Sequence, residues 1–497
     1  MIKILEKDHL FLIFFLLFGA VGFVGNPIFA GIMGYLIFIV GLVDVFKNNN
    51  KNGEAHLYMA LIGVFELYLR MTKSVAPHEI SKYSLIAFST LGLFFSRKRR
   101  LPNGLSILFI LLFIPSLVAV DTNLEFWFEI VMTTVLGPVG LGVLLAYFYQ
   151  YQLNSIDIQN LCRAIILPIS SVLVYIQTKT ISFDELSEVT FTASNSSLSG
   201  NFGPNQVSIM MGIGAGILLY SIFFGIKIFK YKLLDYAVLG ICVFRGLLTF
   251  SRGGVTVPFI AFALIILLSF VRVRNLQSFK KGIYLVLGAG LFYLVFLLAN
   301  SVTGSALEKR YSGETGLTEK TGERDVLSGR DQILFIDLQI FADNFLIGVG
   351  PGMAKPLRYY YGFSNSVSAH IELSRIFAEH GLLGVFAIVT YIIIIYSKRK
   401  RWRTYPNETF FLLFLWWIGF LNSNHNSFRL GITVFFLGII VARINNNPKY
   451  FSASSKKKYR KEWEEWIGVN QNPSEAAPNN AASDPANKLG TSSTFPR

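Results

Sequence analysis

The sequence predicts an all-α polytopic membrane protein with about 12–14 transmembrane helices and one long loop outside the membrane. Of its 497 residues, 53% are hydrophobic and only 15% are charged, whereas a soluble domain carries about 25% charged residues. Apolar runs of about 15 to 23 residues recur along the chain, and roughly 20 helical residues cross a bilayer core. Basic residues cluster in alternate connections between these runs, which is typical of a polytopic topology.

Fourteen apolar runs are candidate spans. They cover residues 9–25, 28–46, 56–71, 81–96, 104–120, 128–149, 161–177, 207–226, 233–250, 255–271, 282–300, 380–396, 409–422 and 428–444. The third is weak because Glu66 and Arg70 interrupt it, and the fourth is also weak. The first resembles a signal peptide, but no small-residue cleavage pattern follows it, so we predict that it is retained.

The basic residues predict the orientation of the chain. One set of alternating connections, with the C-terminal tail, holds 23 Lys and Arg residues, while the opposite short loops hold four: Lys73, Lys179, Arg252 and Arg429. The positive-inside rule therefore predicts cytoplasmic termini and a long loop outside the cytoplasm, which in a bacterial inner membrane would be the periplasm. The net charge of +15 is thus expected to contact anionic membrane lipids rather than nucleic acid.

The spans divide the chain into four regions. We predict an N-terminal transmembrane bundle over residues 1–300, a large periplasmic loop over 301–379, C-terminal spans over 380–444 and a basic, largely disordered tail over 445–497. Long connections without a structural reason are usually functional, so the loop is the expected location of a site. A second polar segment, 178–205, lies on the same predicted side.

Two arginines on that side are candidates for ligand binding. Arg252 lies in "TFSRGGVTV", where Gly253 and Gly254 would leave space for a ligand beside the backbone. The alternative is an interfacial arginine that reaches toward water. Arg330 lies in "LSGRDQILFIDLQIFADNFLIGVGPG", in the first turn of a predicted amphipathic helix. The predicted apolar face of that helix consists of Ile333, Phe335, Ile336, Ile340 and Phe341. A positive charge is unfavourable there for the helix, which favours a ligand. We add Asn205, and Gly350 of the glycine-rich turn, to the predicted substrate-binding residues.

The segment "SAHIELSRIFAEHGLLG", residues 368–384, supplies the titratable groups. Helical spacing places Arg375 four residues before Glu379, which predicts a supporting ion pair. His370 is then left to face a substrate, while His380 is interpreted as a buried structural histidine beside Gly381.

These residue types suit one chemistry. Arginines bind phosphate oxygens bidentately and stabilise the charge that develops on a diphosphate leaving group. A histidine can deprotonate an attacking hydroxyl. The external loops show no clear metal-binding cluster, and the two cysteines, Cys162 and Cys242, are too few for a metal site or a disulfide framework. We therefore predict no metal and no cofactor. Glycosyl transfer from a lipid diphosphate to a hydroxyl is one possibility that these residues allow.

The ordered motifs "SRGG", "SGRDQILFIDLQIFADNFLIGVGPGMA" and "AHIELSRIFAEHGLLG" resemble the O-antigen ligase and O-antigen polymerase superfamily over about residues 200–440. The resemblance implies metal-free, inverting transfer of a glycan from undecaprenyl diphosphate to an acceptor such as lipid A–core. It also implies that the essential histidine is His370 and that the two essential arginines are Arg252 and Arg330.

The sequence departs from the family at one position, because the family's histidine is often followed by asparagine and here Ile371 follows His370. A His–Asn pair occurs instead at His425 and Asn426, so His425 is the alternative base. Ligase and polymerase use the same donor and the same three residues, and a protein O-oligosaccharyltransferase is a further option. A transporter or flippase is the alternative from another class, but such proteins usually show internal repeats, and we find none.

Overall fold

The computed structural model describes residues 1–95, 103–179, 196–272, 276–312, 330–363, 371–398 and 406–444. They form an all-α bundle with a single two-residue parallel pairing, β1 (Gln152–Leu153) with β2 (Arg443–Ile444), in the described chain. The predicted class, an all-α polytopic membrane protein, is confirmed. The described residues belong to one compact unit, Met1–Asn446. The predicted tail lies outside the described residues.

The α-helices are numbered here in chain order. They are α1 Ile2–Glu6, α2 Asp8–Val24, α3 Pro27–Asn48, α4 Glu54–Met71, α5 Ile80–Phe94, α6 Gly104–Leu111, α7 Trp127–Gln150, α8 Ser155–Lys179, α9 Pro204–Phe224, α10 Lys232–Leu248, α11 Arg252–Arg272, α12 Leu276–Val302, α13 Ala306–Ser312, α14 Arg330–Asp343, α15 Ala354–Leu357, α16 Glu372–Tyr396, α17 Pro406–Asn426 and α18 Gly431–Ile439. Short 3₁₀ helices cover Pro115–Ala119, Ser197–Ser199, Arg358–Tyr361 and Ser427–Arg429. The predicted boundaries at residues 300 and 379 fall inside α12 and α16, so the predicted loop is continuous with the bundle.

Six helices in the described chain are long and apolar enough to cross a membrane: α3, α7, α8, α9, α11 and α16. A seventh span results if Gly288–Val302 and Ala306–Ser312, which meet at 118°, count as one. Shorter apolar segments cover Asp8–Val24, Ile80–Phe94 and Gly104–Ala119. The predicted span over 104–120 is interrupted: α6 ends at Leu111 and a 3₁₀ helix starts at Pro115. Proline removes a backbone donor and disfavours helical geometry before it.

Helix α4 lies at the centre of the bundle. All of its residues are buried, and it packs against α3, α5, α8 and α18. A helix enclosed on every side has no lipid-facing stripe, which explains how the weak third span accommodates Glu66 and Arg70. Helices α9 and α11 approach closely because Gly212 has no Cβ. A Cβ there would overlap the backbone at Gly254.

The connections that are predicted to be external meet at one end of the bundle, which we call the site end. Arg70 at the end of α4 donates to Gln206 at the start of α9 (3.5 Å). The backbone of Leu373 donates to Asn424 near the end of α17 (3.4 Å). At the opposite end, the Lys398 ammonium donates to the Tyr149 carbonyl (3.3 Å).

Candidate functional site

Arg252 is the first residue of α11 and is half-buried at the site end. The preceding turn is held by side chains: the Thr249 hydroxyl accepts from the Ser251 N–H (3.2 Å), and the Ser251 hydroxyl donates to Asn205 Oδ1 (2.8 Å). Phe250 adopts a left-handed φ of 55° in this turn. The structure therefore brings two predicted site residues, Arg252 and Asn205, to the same place.

The two glycines after Arg252 do not leave the open space that the sequence predicts. A Cβ at Gly253 would overlap the imidazole of His425, and one at Gly254 would overlap Ser208 and the backbone of Ile209. The glycines are needed because neighbouring helices occupy that space. The arrangement also places His425, the alternative base, directly beside the residue that follows Arg252.

A third arginine, which the sequence analysis missed, lies beside Arg252. The Arg252 guanidinium donates to the carbonyl of Arg310 (3.3 Å), and buried Arg310 donates to the carbonyl of Phe250 (3.4 Å). The next residue, Tyr311, has a buried hydroxyl with no hydrogen-bond partner among the described residues. No motif or periodicity marks "LEKRYS", because its position depends on the turn between α12 and α13.

Arg330 is the first residue of α14, which confirms its predicted place in a first turn. The predicted apolar face is confirmed in part: Ile333, Ile336 and Ile340 are buried, whereas Phe335 is 63% exposed. Phe335 is exposed because positions 333, 336 and 340 form one stripe of the helix, and position 335 falls on the opposite side.

Helix α14 runs parallel to α16, so their N-termini lie at the same end. The carboxylate of Asp337 accepts from the Ser374 hydroxyl (2.7 Å), and the Phe341 and Phe377 ring centroids are 5.9 Å apart. Asp337 also accepts from the Arg358 guanidinium (2.8 Å), and both side chains are almost fully buried. This cluster positions the start of α14, which carries Arg330, near the start of α16.

His370 lies outside the described residues, two positions before α16 begins. The first turn of α16 is tied to the segment that contains His425: Leu373 donates to Asn424, and a carboxylate oxygen of Glu372 accepts from the Phe428 N–H (3.2 Å). His425 is 6% exposed. The start of α16, which follows His370 by two positions in the sequence, and the segment that contains His425 therefore lie together.

The predicted ion pair of α16 is present. Arg375 lies 2.8 Å from Glu379, at the i,i+4 spacing, and it also pairs with Glu372. Both acids are nearly inaccessible to solvent. Because Glu372 in turn holds the backbone at Phe428, the pairs support the start of α16 and its link to α17.

Gly350 lies elsewhere. Its N–H donates to the Glu379 carbonyl (3.0 Å), at a kink in α16 where Gly381 has φ 59° and ψ −144°. Gly350 follows the C-terminus of α14, and that helix of 14 residues spans about 20 Å. The structure therefore does not bring Gly350 to Arg330, and its N–H already has a backbone acceptor.

His380 occupies a structural position at the same kink. Its Nδ1 lies 2.6 Å from the Ser116 hydroxyl, and its ring packs edge-to-face on Phe113. This agrees with its interpretation as a buried structural histidine. Within the described ranges, no group of three or more His, Cys, Asp or Glu residues has the arrangement of a metal site; the absence of a metal stays a prediction.

Comparison with known protein families gives one match. Residues 236–389 match the family model described as O-Antigen ligase. No curated protein matches the chain. The matched range contains Arg252, Arg310 and Arg330 and the start of α16, and it ends before His425. The resemblance predicted from the motifs is confirmed over residues 236–389, where this polytopic membrane protein is similar to the O-antigen ligase family.

Proposed function

We propose that the protein transfers a glycan from undecaprenyl diphosphate to a hydroxyl of lipid A–core, at the periplasmic face of the inner membrane. The observation that carries this proposal is the meeting of Arg252, Asn205 and Arg310 at one end of the bundle, within or beside the family match. The N-termini of α14 and α16 lie at that same end.

The arginines would bind the donor's diphosphate. Guanidinium groups form paired hydrogen bonds with phosphate oxygens. As the bond between the anomeric carbon and the diphosphate oxygen breaks, negative charge accumulates on that oxygen, and fixed positive groups stabilise it. Arg252 and Arg330 take this role in our proposal. Arg310 lies close enough to Arg252 to strengthen the positive potential there.

His370 would act as the base. It accepts the proton of the acceptor hydroxyl while the oxygen attacks the anomeric carbon from the face opposite the diphosphate, which inverts the configuration. General-base catalysis of this kind contributes typically 10²–10⁴-fold. No step in this scheme requires a metal or a cofactor.

The family match is compatible with a ligase and with a polymerase. One feature of the sequence favours a ligase. The long predicted periplasmic loop lies between the eleventh and twelfth predicted spans, with the histidine motif at its end. A polymerase with the same donor and the same residues is the alternative outcome of the test.

The deciding experiment uses purified full-length protein, undecaprenyl-diphosphate glycan and lipid A–core, with a chelator present. We expect glycan on lipid A–core. Donor converted into longer lipid-linked chains would identify a polymerase. Absence of turnover with both acceptors would contradict the proposed function.

A further inference from the structure

A cavity opens at the site end, between the turn that joins α4 to α5 and the segment that precedes α9. Its volume is about 370 Å³. Both polar and apolar residues line it: Glu66, Arg70, Lys73, Ser74 and His78 are polar, and Leu69, Ala76, Pro77, Ile80 and Phe202 are mainly apolar. The proposed transfer uses none of these residues.

Two of the lining residues, Glu66 and Arg70, belong to a buried ion network. Arg70 pairs with Glu66 (2.9 Å) and Glu79 (3.3 Å), and Lys82 pairs with Glu79 (2.7 Å). Burial would raise the pKa of Glu79, but the His78 hydrogen bond and the charges of Lys82 and Arg70 outweigh it and lower that pKa to about 2. Glu79 is therefore ionised at neutral pH. The two acids balance Arg70 and Lys82, so the network carries no net charge.

Lys73 adds a positive charge that the network does not balance. Its side chain is exposed, lines the cavity and has no ion pair or hydrogen bond among the described residues. Its backbone is held in the left-handed region, with φ 51°, by hydrogen bonds from the Lys73 and Ser74 N–H groups to α4. That conformation is uncommon for a residue other than glycine. The helix cap thus fixes the point from which the lysine extends.

Arg429 is a second positive residue, which lies behind the cavity lining: it comes two positions before Gly431, whose N–H donates to the lining residue Glu66 (3.2 Å). It lies in the 3₁₀ helix after α17, is partly buried, and has no acidic partner or hydrogen bond in the part of the chain that the structure describes. Burial, and then the charge of nearby Arg70, lowers the pKa of Arg429, but the guanidinium remains protonated at neutral pH. A buried charge beside a like charge is unfavourable unless an anion accompanies it.

We propose that this cavity binds a phosphate group carried by a lipid head group. Lys73 at the cavity surface and Arg429 behind the lining residue Glu66 supply two positive charges, which suit the negative charge of a phosphate. Leu69 and Phe202 supply an apolar wall for the part of the molecule next to it. The cavity lies at helix ends, which is the depth of the polar head groups of a bilayer.

The cavity is separate from the proposed donor site but adjacent to it. Gln206 accepts a hydrogen bond from Arg70, which lines the cavity. The neighbouring Asn205 accepts one from Ser251, the residue before Arg252. Both sites therefore share the first turn of α9. The binding proposal does not depend on the transfer reaction and can be tested without it.

The test measures lipid retention by the purified full-length protein in native mass spectrometry. The probes are phosphatidylglycerol and phosphatidylcholine, with inorganic phosphate as competitor. We expect phosphatidylglycerol to be retained at least tenfold more than phosphatidylcholine. The double variant Lys73→Gln/Arg429→Gln should lose that preference, while Lys355→Gln, which removes an exposed lysine outside the cavity, should keep it.

Two further variants guard against a folding defect. Lys73→Gln alone changes only an exposed side chain and should weaken retention several-fold, and Arg429→Lys keeps the charge and should preserve most of it. Displacement of the lipid by an equal concentration of inorganic phosphate would support the phosphate site but identify free phosphate as its ligand. Equal retention of phosphatidylglycerol by the wild type and the double variant would overturn the proposal, as would equal retention of the two lipids.

Discussion

Arg252 and Arg330 share an unusual placement, since each is the first residue of a helix. A positive side chain there opposes the helix dipole, so neither position is explained by helix stability. An anionic ligand would turn both placements into an advantage, because the positive end of the helix dipole also attracts anions.

The first prediction tests bidentate recognition by these arginines. Arg252→Lys and Arg330→Lys keep the charge but lose the planar fork, and each should lower transfer at least 10²-fold. Cell-free transfer to lipid A–core is the measurement, with membrane content of each variant checked by immunoblot. Lys355→Gln is the matched control. Activity within threefold of wild type in either lysine variant would contradict bidentate binding.

The second prediction separates the two histidines. His370→Ala should reduce transfer by about 10²–10⁴-fold, as expected for loss of a general base. His425→Ala should reduce it less than tenfold if His425 serves to pack against Gly253. Gly253→Ala adds a Cβ that displaces the His425 ring, so it should resemble His425→Ala. The reverse ranking of the two histidine variants would transfer the base role to His425.

At the scale of elements, a buried polar cluster fixes the position of α14 relative to α16. Asp337 accepts from Arg358 on one side and from Ser374 on the other. The carboxylate and the guanidinium are both almost inaccessible. Removing one partner of such a pair leaves a buried charge unpaired, at a cost of about 3–5 kcal/mol.

The third prediction follows from that cluster. Asp337→Ala should lower the thermal unfolding midpoint of the purified protein and reduce transfer, because the start of α14 loses its alignment with α16. Asp331→Ala, an exposed acid in the same helix, should change neither. The double variant Asp337→Leu/Arg358→Leu should regain part of the lost stability, since neither charge remains buried alone. A single variant as stable as wild type would refute the role of the cluster.

At the scale of the whole molecule, the connections with few basic residues meet at the site end. The described parts of the basic connections lie at the opposite end. At the site end, Lys73 lines the cavity together with Phe202, just before α9, and Arg429 lies two positions before Gly431, whose N–H donates to Glu66. Lys398 and Lys227 contact residues at the opposite end. This separation is what the positive-inside rule requires.

The fourth prediction tests the orientation by cysteine labelling in intact cells. Lys73→Cys and Lys355→Cys should react with a membrane-impermeant maleimide from outside. Lys51→Cys and Lys230→Cys should react only after the membrane is opened. The native thiols of Cys162 and Cys242 are fully buried and serve as the unreactive background. Labelling of Lys230→Cys in intact cells would invert the topology.

The sequence by itself determined the features that depend on short separations along the chain. Composition and apolar runs determined the all-α membrane class, because the bilayer requires each helix to satisfy its own backbone. Helical spacing determined the Arg375–Glu379 pair and the position of Arg330 in a first turn. The tertiary structure alone decided contacts between distant segments. Arg252 meets Arg310 across 58 positions, and Glu66 accepts from Gly431 across 365. No local pattern encodes such meetings, since they result from how whole helices pack against one another.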